Sequence, residues 1–207
     1  MVSVLLFDIG GVLINYKPAM YYEDVARRIG KDVGTVRSAF EPFRRQLDLG
    51  AMPVRTAEKL VARKLGARES DIRWGSNFLS VASPNARMLG FARRASKEYR
   101  LALLSNFSFV RYREALANLI DKDLFRDRFI SCYLHMAKPD KYGRPDDERI
   151  YRYAVRRLRV EPNEILFIDD LEENLAPARR MGINTLLFED YGKFIGQMSK
   201  LGISVGA

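Results

Sequence analysis

The sequence predicts an α/β fold: a doubly wound, Rossmann-like parallel sheet, interrupted by an inserted helical cap subdomain. Three observations support this prediction. Short segments that are apolar at nearly every position recur along the chain, as in strands buried on both faces of a parallel sheet. Helical patterns alternate with the later segments. A longer, purely helical region separates the first apolar segment from the others.

Five β-rich segments supply the predicted strands. They are Val2–Phe7, Arg100–Leu104, Phe129–Tyr133, Glu164–Ile168 and Asn184–Phe188. The helical patterns between the later segments cover Phe109–Ile120, Asp146–Leu158 and Glu172–Met181. Because strand and helix alternate, consecutive strands are expected to run parallel and to be joined by helical crossovers.

The helical region after the first strand predicts the cap. It spans residues 16–83, whereas residues 1–15 and 84–207 are assigned to the α/β core. Apolar periodicity predicts cap helices over Ala19–Ile29, Val33–Arg45 and Val54–Leu65. Gly30 and Gly66 are placed to end two of these helices, since glycine readily adopts the left-handed conformation found there.

Aromatic side chains are frequent in the cap, and they include Tyr21, Tyr22, Phe40, Phe43 and Trp74. Their helical spacing favours a packed cap core over a surface that stacks on substrate. Arg44, Arg45 and Gln46 precede a predicted turn and are candidates for substrate contact, although a solvated helix end is the simpler explanation.

Composition limits the chemistry that is available. The 207 residues are 47% apolar and 29% charged, which is typical of a folded chain. The single cysteine, Cys132, is expected to pack in the third strand and excludes an internal disulfide. The single histidine, His135, excludes a site with several histidine ligands; it could touch a phosphate, but a loop histidine is the simpler interpretation.

The net charge of +9 is carried mainly by arginine pairs in helical segments. Solvated helix faces explain this pattern, and attraction of an anionic substrate is the functional alternative. No basic stretch alternates with aromatics, so a nucleic-acid partner is not expected. No apolar run reaches roughly 18 residues, and no signal peptide is recognised. We expect a cytoplasmic protein without a membrane partner, and the sequence indicates no oligomeric state.

Polar residues follow four of the predicted strands. They are Asp8, Gly10 and Gly11 after the first strand, Ser105 and Asn106 after the second, Lys138 shortly after the third, and Asp169 and Asp170 after the fourth. Each alone is ordinary loop or capping chemistry. Ligands of open α/β sheets bind beyond the carboxyl ends of the strands, so these residues are expected to meet at one edge.

The three aspartates would repel one another at this edge unless a cation joined them. Magnesium prefers oxygen ligands and is commonly held by one or two carboxylates together with a substrate phosphate. Lys138 would add positive charge, and Ser105 and Asn106 would donate to phosphoryl oxygens. Glycines at positions 10 and 11 would let the backbone approach closely. The pattern predicts a magnesium site, and a small phosphorylated metabolite as the substrate that binds there.

Four segments carry a family resemblance. They are Phe7–Leu13, Leu104–Asn106, Lys138–Asp140 with Arg149–Tyr151 downstream, and Phe167–Asn174. In this order they resemble the four motifs of the haloacid dehalogenase superfamily. The stretch Phe167–Phe188 is similar to the branch that contains the phosphatase domain of soluble epoxide hydrolase and sugar-1-phosphate phosphatases. The helical insert resembles the cap of that superfamily.

The resemblance implies a role for each motif residue. Asp8 would be the nucleophile that forms an aspartyl-phosphate. Magnesium would be held by Asp8, the Gly10 carbonyl, and Asp169 or Asp170, and the order of the last two stays open. Ser105 and Lys138 would hold the phosphoryl group. The implied activity is that of a magnesium-dependent phosphatase, with a sugar phosphate as one candidate substrate.

Two departures from the superfamily pattern keep other functions open. Most hydrolases of this type have an aspartate two residues after the nucleophile, where this chain has Gly10. The alternatives are therefore a metal-independent 2-haloacid dehalogenase and a non-catalytic protein that binds phosphate or another partner. The second departure is an insertion, Lys141–Arg144, after Lys138-Pro139-Asp140.

Overall fold

The structure is a computed structural model that describes residues 1–139 and 148–203. Its main sheet has five parallel strands in the order β5-β4-β1-β6-β7. These strands are β1 (Val4–Phe7), β4 (Arg100–Ser105), β5 (Asp127–Ile130), β6 (Ile165–Asp169) and β7 (Asn184–Leu187). The predicted α/β fold is confirmed.

Strand β1 lies at the centre of the sheet, and its four residues are buried on both faces. Phe7 is in register with Leu103 of β4 on one side and with Ile168 of β6 on the other. The chain order changes direction at β1, which opens a crevice beyond the carboxyl ends of the central strands. The residues that follow Phe7, Ser105 and Ile168 are thereby brought to one place.

Helices cover both faces of the sheet. The core helices are α5 (Ala86–Ala95), α6 (Phe109–Asn118), α7 (Ser131–Leu134), α8 (Arg149–Leu158), α9 (Glu172–Arg180) and α10 (Tyr191–Lys200). The buried side chains divide into two apolar clusters because alternate residues of each strand point to opposite faces. Leu5 and Phe7 belong to one cluster, and Leu6 belongs to the other. None of the helices that the structure describes is long and apolar enough to cross a bilayer.

Four helices lie between β1 and β4 in the predicted cap region. They are α1 (Pro18–Ile29), α2 (Val33–Asp48), α3 (Val54–Leu65) and α4 (Trp74–Val81). A short antiparallel ribbon joins the two ends of this insert, with β2 (Ile14–Asn15) paired to β3 (Ser83–Pro84). The helical insert is present, and its division from the core at residues 16 and 83 stays a prediction.

The cap helices pack around an aromatic cluster. The Trp74 ring stacks on Tyr21 with centroids 5.5 Å apart, and it meets Phe40 edge-on at 4.8 Å. The Tyr21 hydroxyl donates a 2.8 Å hydrogen bond to the Ile72 carbonyl, which satisfies its buried polar group. These side chains form the inside of the cap, as the helical spacing predicts. Gly30 and Gly66 end their helices with φ values of 65° and 61°.

Three local predictions are wrong. The third strand ends at Ile130 rather than Tyr133, because residues 131–134 turn into the short helix α7. Cys132 is buried as expected, but in this helix and not in a strand. Helix α2 continues to Asp48, past the predicted end at Arg45. A run of β-branched and aromatic residues resembles a strand over four positions whatever its final geometry, so sequence pattern alone does not separate the two.

Candidate active site

The turn after β1 fixes the position of Asp8. The Asp8 amide donates to the Ile168 carbonyl at 2.9 Å, which continues the pairing of β1 with β6 by one residue. The Ile9 carbonyl then accepts hydrogen bonds from the amides of Leu13 and Ile14, both at 3.0 Å. Gly11 adopts φ +81°, where a side chain would be strained and its Cβ would overlap the Asp170 carboxylate. The second glycine is therefore required by both backbone geometry and space.

Lys138 links the strand ends electrostatically. Its ammonium lies 2.9 Å from Asp8 Oδ1 and 2.5 Å from Asp169 Oδ2, and the side chain is 1% exposed. Burial opposes the charge on Lys138, but the carboxylates of Asp169 and Asp8 outweigh burial and raise the pKa of the lysine. The lysine is therefore charged, and it offsets only part of the surrounding negative charge.

Both carboxylate oxygens of Asp169 are occupied. Oδ2 accepts from Lys138, while Oδ1 accepts from the Leu171 amide at 2.9 Å and from Asn174 Nδ2 at 2.8 Å. The side chain is completely buried. Burial raises the pKa of Asp169, with Asp8 acting in the same direction and the Lys138 ion pair opposing both. Asp169 is held rigidly and orients Lys138.

Asp8, Asp169 and Asp170 form an acidic cluster. One oxygen from each carboxylate lies within 4.8 Å of the others. Burial and the neighbouring Asp8 charge raise the pKa of Asp170 to about 6. Asp8 Oδ1 is buried, and its contact with the Lys138 ammonium is its one polar contact among the described residues. An all-oxygen donor set with this uncompensated charge fits a small divalent cation.

Ser105 and Asn106 occupy the end of β4 beside this cluster. Ser105 is buried and lines the same cavity as Asp8. Asn106 also lines the cavity, but its amide is engaged with the backbone of Lys138: Nδ2 donates to the Lys138 carbonyl at 3.0 Å, and Oδ1 accepts from the Lys138 amide at 2.8 Å. Asn106 thus fixes the backbone from which Lys138 reaches the aspartates.

A cavity of about 260 Å³ opens above these residues. Its floor includes Asp8, Gly10, Lys138 and Asp170, and it reaches the base of the cap at Pro18. A larger cavity of about 670 Å³, lined by Arg100 among others, lies at the opposite edge of the sheet, where the strands begin. The smaller cavity is the one lined by Asp8 and Asp170 of the acidic cluster and by Lys138, so it is the candidate active site.

The cavity lining also includes residues that are missing from the sequence-based site, among them Tyr16, Lys17, Phe107 and Arg111. Arg111 is buried and donates to Asp48 of the cap at 2.6 Å. Burial opposes the charge on Arg111, but Asp48 and Tyr16 together outweigh burial and raise the pKa of the arginine. Residue type and helical spacing do not distinguish Arg111 from the other arginines on predicted helices. Its position in the first turn after Ser105-Asn106 was the available signal.

The sequence-based cap candidates do not reach the cavity. Arg44, Arg45 and Gln46 are absent from its lining. His135 is also outside the cavity, and its Nδ1 lies 2.8 Å from the Leu49 carbonyl, where it joins α7 to the cap. The inserted residues Lys141–Arg144 and Asp140 lie outside the described residues.

Comparison with known proteins identifies the family. The family model described as "Hydrolase: haloacid dehalogenase-like hydrolase" matches residues 2–182, which include all four strand ends of the site. The chain belongs to the haloacid dehalogenase-like hydrolases. The resemblance stated from the four motifs is thereby confirmed, and this hydrolase has the fold that the family implies.

Individual relatives extend the comparison. The hydrolase is 35% identical over 71 residues to bifunctional epoxide hydrolase 2 of Rattus norvegicus, a match that covers 34% of this chain and 12% of that protein. It is 24% identical to the sesquiterpene phosphatase astK of Aspergillus oryzae over 89% of both chains. A HAD family enzyme of Bacteroides thetaiotaomicron, in complex with magnesium and inorganic phosphate, superposes with a TM-score of 0.72 at 21% identity, covering 94% of this chain and 99% of that one.

Proposed function

We propose that this hydrolase is a magnesium-dependent phosphatase that acts on a small phosphomonoester through an aspartyl-phosphate intermediate on Asp8. The observation that carries the proposal is the clustering of Asp8, Asp169 and Asp170 around the Lys138 ammonium at the mouth of the sheet crevice. The names of two relatives, a sesquiterpene phosphatase and a protein complexed with magnesium and phosphate, support the same chemistry.

Asp8 is the proposed nucleophile. It stands at the end of the central strand, lines the cavity, and keeps an oxygen free of hydrogen-bond donors other than the Lys138 ammonium. That lysine lowers the repulsion between the carboxylate and an incoming phosphate. Ser105, which lines the same cavity, would donate its hydroxyl proton to a phosphoryl oxygen.

Asp8 and Asp170 are the proposed magnesium ligands. Both oxygens of Asp169 already accept hydrogen bonds, whereas Asp170 faces the cavity and has a raised pKa that a cation would reverse. We assign Asp169 to orienting Lys138, and we keep the Gly10 carbonyl as a further candidate ligand. When bound, magnesium supplies positive charge that neutralises phosphoryl oxygens.

The cavity favours a compact substrate. Its volume of about 260 Å³ is below the roughly 300–1,000 Å³ of pockets that hold drug-sized ligands. A phosphate group takes up part of this space, so the remainder suits a leaving group of about the size of a sugar or a short alcohol. The apolar walls, which include Phe107 and Leu171, favour the less polar members of that class.

A substrate panel tests the proposal. The purified protein is incubated with phosphorylated metabolites, 4-nitrophenyl phosphate and 2-chloropropionate, each with magnesium and with EDTA, and released phosphate or chloride is measured. We expect phosphate release that requires magnesium. Chloride release that is indifferent to EDTA would instead identify a 2-haloacid dehalogenase. The absence of turnover together with phosphate binding would identify a non-catalytic protein.

A further inference from the structure

Position 10 lacks the acid that would protonate a leaving group, and the structure shows what surrounds it. A Cβ built on Gly10 would lie 3.5 Å from the Phe107 ring and 3.9 Å from the Tyr16 ring. These are ordinary van der Waals distances, so the backbone could carry a side chain here. Gly10 is therefore not enforced by crowding, and Phe107 and Tyr16 are the side chains nearest to this position.

Tyr16 is the neighbour with a transferable proton. It lines the cavity together with Asp8, and it is 6% exposed. Its ring is fixed edge-on against Phe78 of the cap with centroids 4.9 Å apart. Its hydroxyl oxygen accepts from Arg111 Nη1 at 3.5 Å, and none of the described residues accepts the hydroxyl proton. No described residue therefore competes for this proton.

Arg111 is placed to stabilise negative charge on the Tyr16 oxygen. Its guanidinium is 3% exposed and is held in place by Asp48 at 2.6 Å and by the Ser108 hydroxyl at 3.2 Å. It also lies over the Phe107 ring, 5.3 Å from the ring centre. A fixed cation in a poorly solvated site interacts strongly with charge that develops nearby.

The other proton donors around the cavity are less suited to this task. Lys138 is committed to Asp8 and Asp169, and its raised pKa makes it a weak acid. No lysine or arginine among the described residues makes a hydrogen bond with the Ser105 hydroxyl, so no cation there would stabilise the charge left when the proton is donated. Lys17 lines the cavity but is exposed, and no described side chain makes a hydrogen bond or ion pair with its ammonium.

We propose that Tyr16 donates its phenolic proton to the leaving-group oxygen, in place of an acid at position 10, and that Arg111 is its positioning residue. The inference rests on the proposed phosphatase function. In the first step an Asp8 oxygen bonds to phosphorus, the bond from phosphorus to the leaving oxygen breaks, and the Tyr16 proton passes to that oxygen. In the second step water attacks phosphorus, its proton returns to the Tyr16 phenolate, and the bond between Asp8 and phosphorus breaks.

The test compares esters with different leaving groups. A leaving alcohol of high pKa needs protonation, whereas 4-nitrophenolate departs unprotonated. We expect Tyr16→Phe to lower kcat/KM for an alkyl phosphate on the order of 10²-fold or more, and to lower it much less for 4-nitrophenyl phosphate. The plot of log kcat/KM against leaving-group pKa should become steeper. Wild-type protein inactive on both esters would overturn the phosphatase proposal and this one with it.

Three further variants make the result specific. Gly10→Asp in the Tyr16→Phe background should restore alkyl phosphate hydrolysis, because an acid is returned to the cavity. Tyr99→Phe removes the same hydroxyl at the opposite edge of the sheet and should leave both esters unaffected. Magnesium-dependent thermal stabilisation of Tyr16→Phe should match the wild type, which shows an intact metal site. Equal losses on both esters, or the same leaving-group dependence in Lys17→Met, would overturn the assignment to Tyr16.

Discussion

At the scale of single residues, the site is defined by an excess of negative charge. Lys138 faces two carboxylates and can neutralise only one of them, and Asp170 adds a third acid nearby. Removing one member of a buried ion pair leaves its partners without compensation, which costs more than the pair contributes when intact. We therefore expect some substitutions in this cluster to abolish turnover while the fold remains, and others, which remove a counter-charge, to lower the free energy of unfolding.

Asp8→Asn should abolish turnover while the fold remains. The amide has nearly the shape of the carboxylate but cannot form the acyl phosphate, so we expect kcat to fall on the order of 10⁴-fold or more. Phosphate release with the best substrate of the panel measures the loss, and a thermal melt checks the fold. Activity close to that of the wild type would remove Asp8 from the role of nucleophile.

Lys138→Met should destabilise the protein. It leaves Asp8 and Asp169 buried without a counter-charge, at an expected cost of about 3–5 kcal/mol in the free energy of unfolding. Urea unfolding in EDTA measures this cost. Adding Asp169→Asn to Lys138→Met should recover part of the stability, since one uncompensated charge is removed. A double variant less stable than Lys138→Met would contradict the proposed electrostatic origin.

At the scale of elements, the turn between β1 and β2 brings two strand ends into contact. Gly11 lies against the Asp170 carboxylate that follows β6, so the conformation of one loop sets the position of a side chain on another. A side chain at position 11 would meet two unfavourable effects: strain of the left-handed backbone, and overlap with the neighbouring loop. Another glycine of the chain, where only the first effect applies, allows the two to be measured separately.

Gly11→Ala should be more damaging than Gly30→Ala. Both glycines have positive φ, +81° and +65°, but a Cβ at Gly30 meets no atom within 4 Å. Strain alone applies at Gly30, on the order of 1–2 kcal/mol, whereas Gly11→Ala also has to displace Asp170. Urea unfolding and magnesium titration compare the two variants, and only Gly11→Ala should weaken magnesium binding. Equal effects would show that the contact with Asp170 is unimportant.

At the scale of the whole molecule, the active-site cavity is shared between two parts of the chain. The core supplies Asp8, Lys138 and Asp170, while Pro18 and Ala19 at the start of the cap close one side. The buried pair between Arg111 of α6 and Asp48 of α2 holds the two parts together next to the cavity. We therefore expect stability, metal binding and access to the cavity to be coupled.

Magnesium should stabilise the whole protein, and more so at neutral pH than at acid pH. In the metal-free protein the pKa of Asp170 is about 6, above the ordinary value of about 3.9 expected in the unfolded chain. The folded state then holds a proton that the unfolded chain releases, so this group lowers stability as pH rises from about 4 to about 6. Bound magnesium removes the penalty by replacing the proton.

Thermal melts at pH 5.5 and pH 7.5, each with EDTA and with magnesium, measure this coupling. The magnesium-induced increase in Tm should be larger at pH 7.5, where protons no longer compete with the cation. Asp170→Asn should reduce the increase at both pH values. Asp24→Asn, which changes a cap carboxylate paired with Arg27 and Arg28, should preserve it. An increase that does not depend on pH would contradict the assignment of Asp170 as a ligand.

The sequence by itself determined the sheet, the helical insert and the polar residues at four strand ends. Those features depend on local patterns: continuous apolar runs for strands such as β1 and β6, and acids or glycines at the points where the strands stop. Since parallel strands share a carboxyl edge, the convergence of Asp8, Lys138 and Asp169 follows from topology. The end of β5 escaped prediction because four residues do not distinguish a strand from a helical turn.

Only the tertiary structure decided what surrounds the candidate active-site cavity. Tyr16 and Arg111 are distant in sequence, and neither stands in a motif; packing of α6 against the cap brings them beside position 10. The proposed difference between Asp169 and Asp170 also rests on the tertiary structure, since it depends on which oxygens accept hydrogen bonds from Leu171, Asn174 and Lys138. Periodicity encodes which residues are buried, but the partners of a buried polar group depend on side chains from several elements.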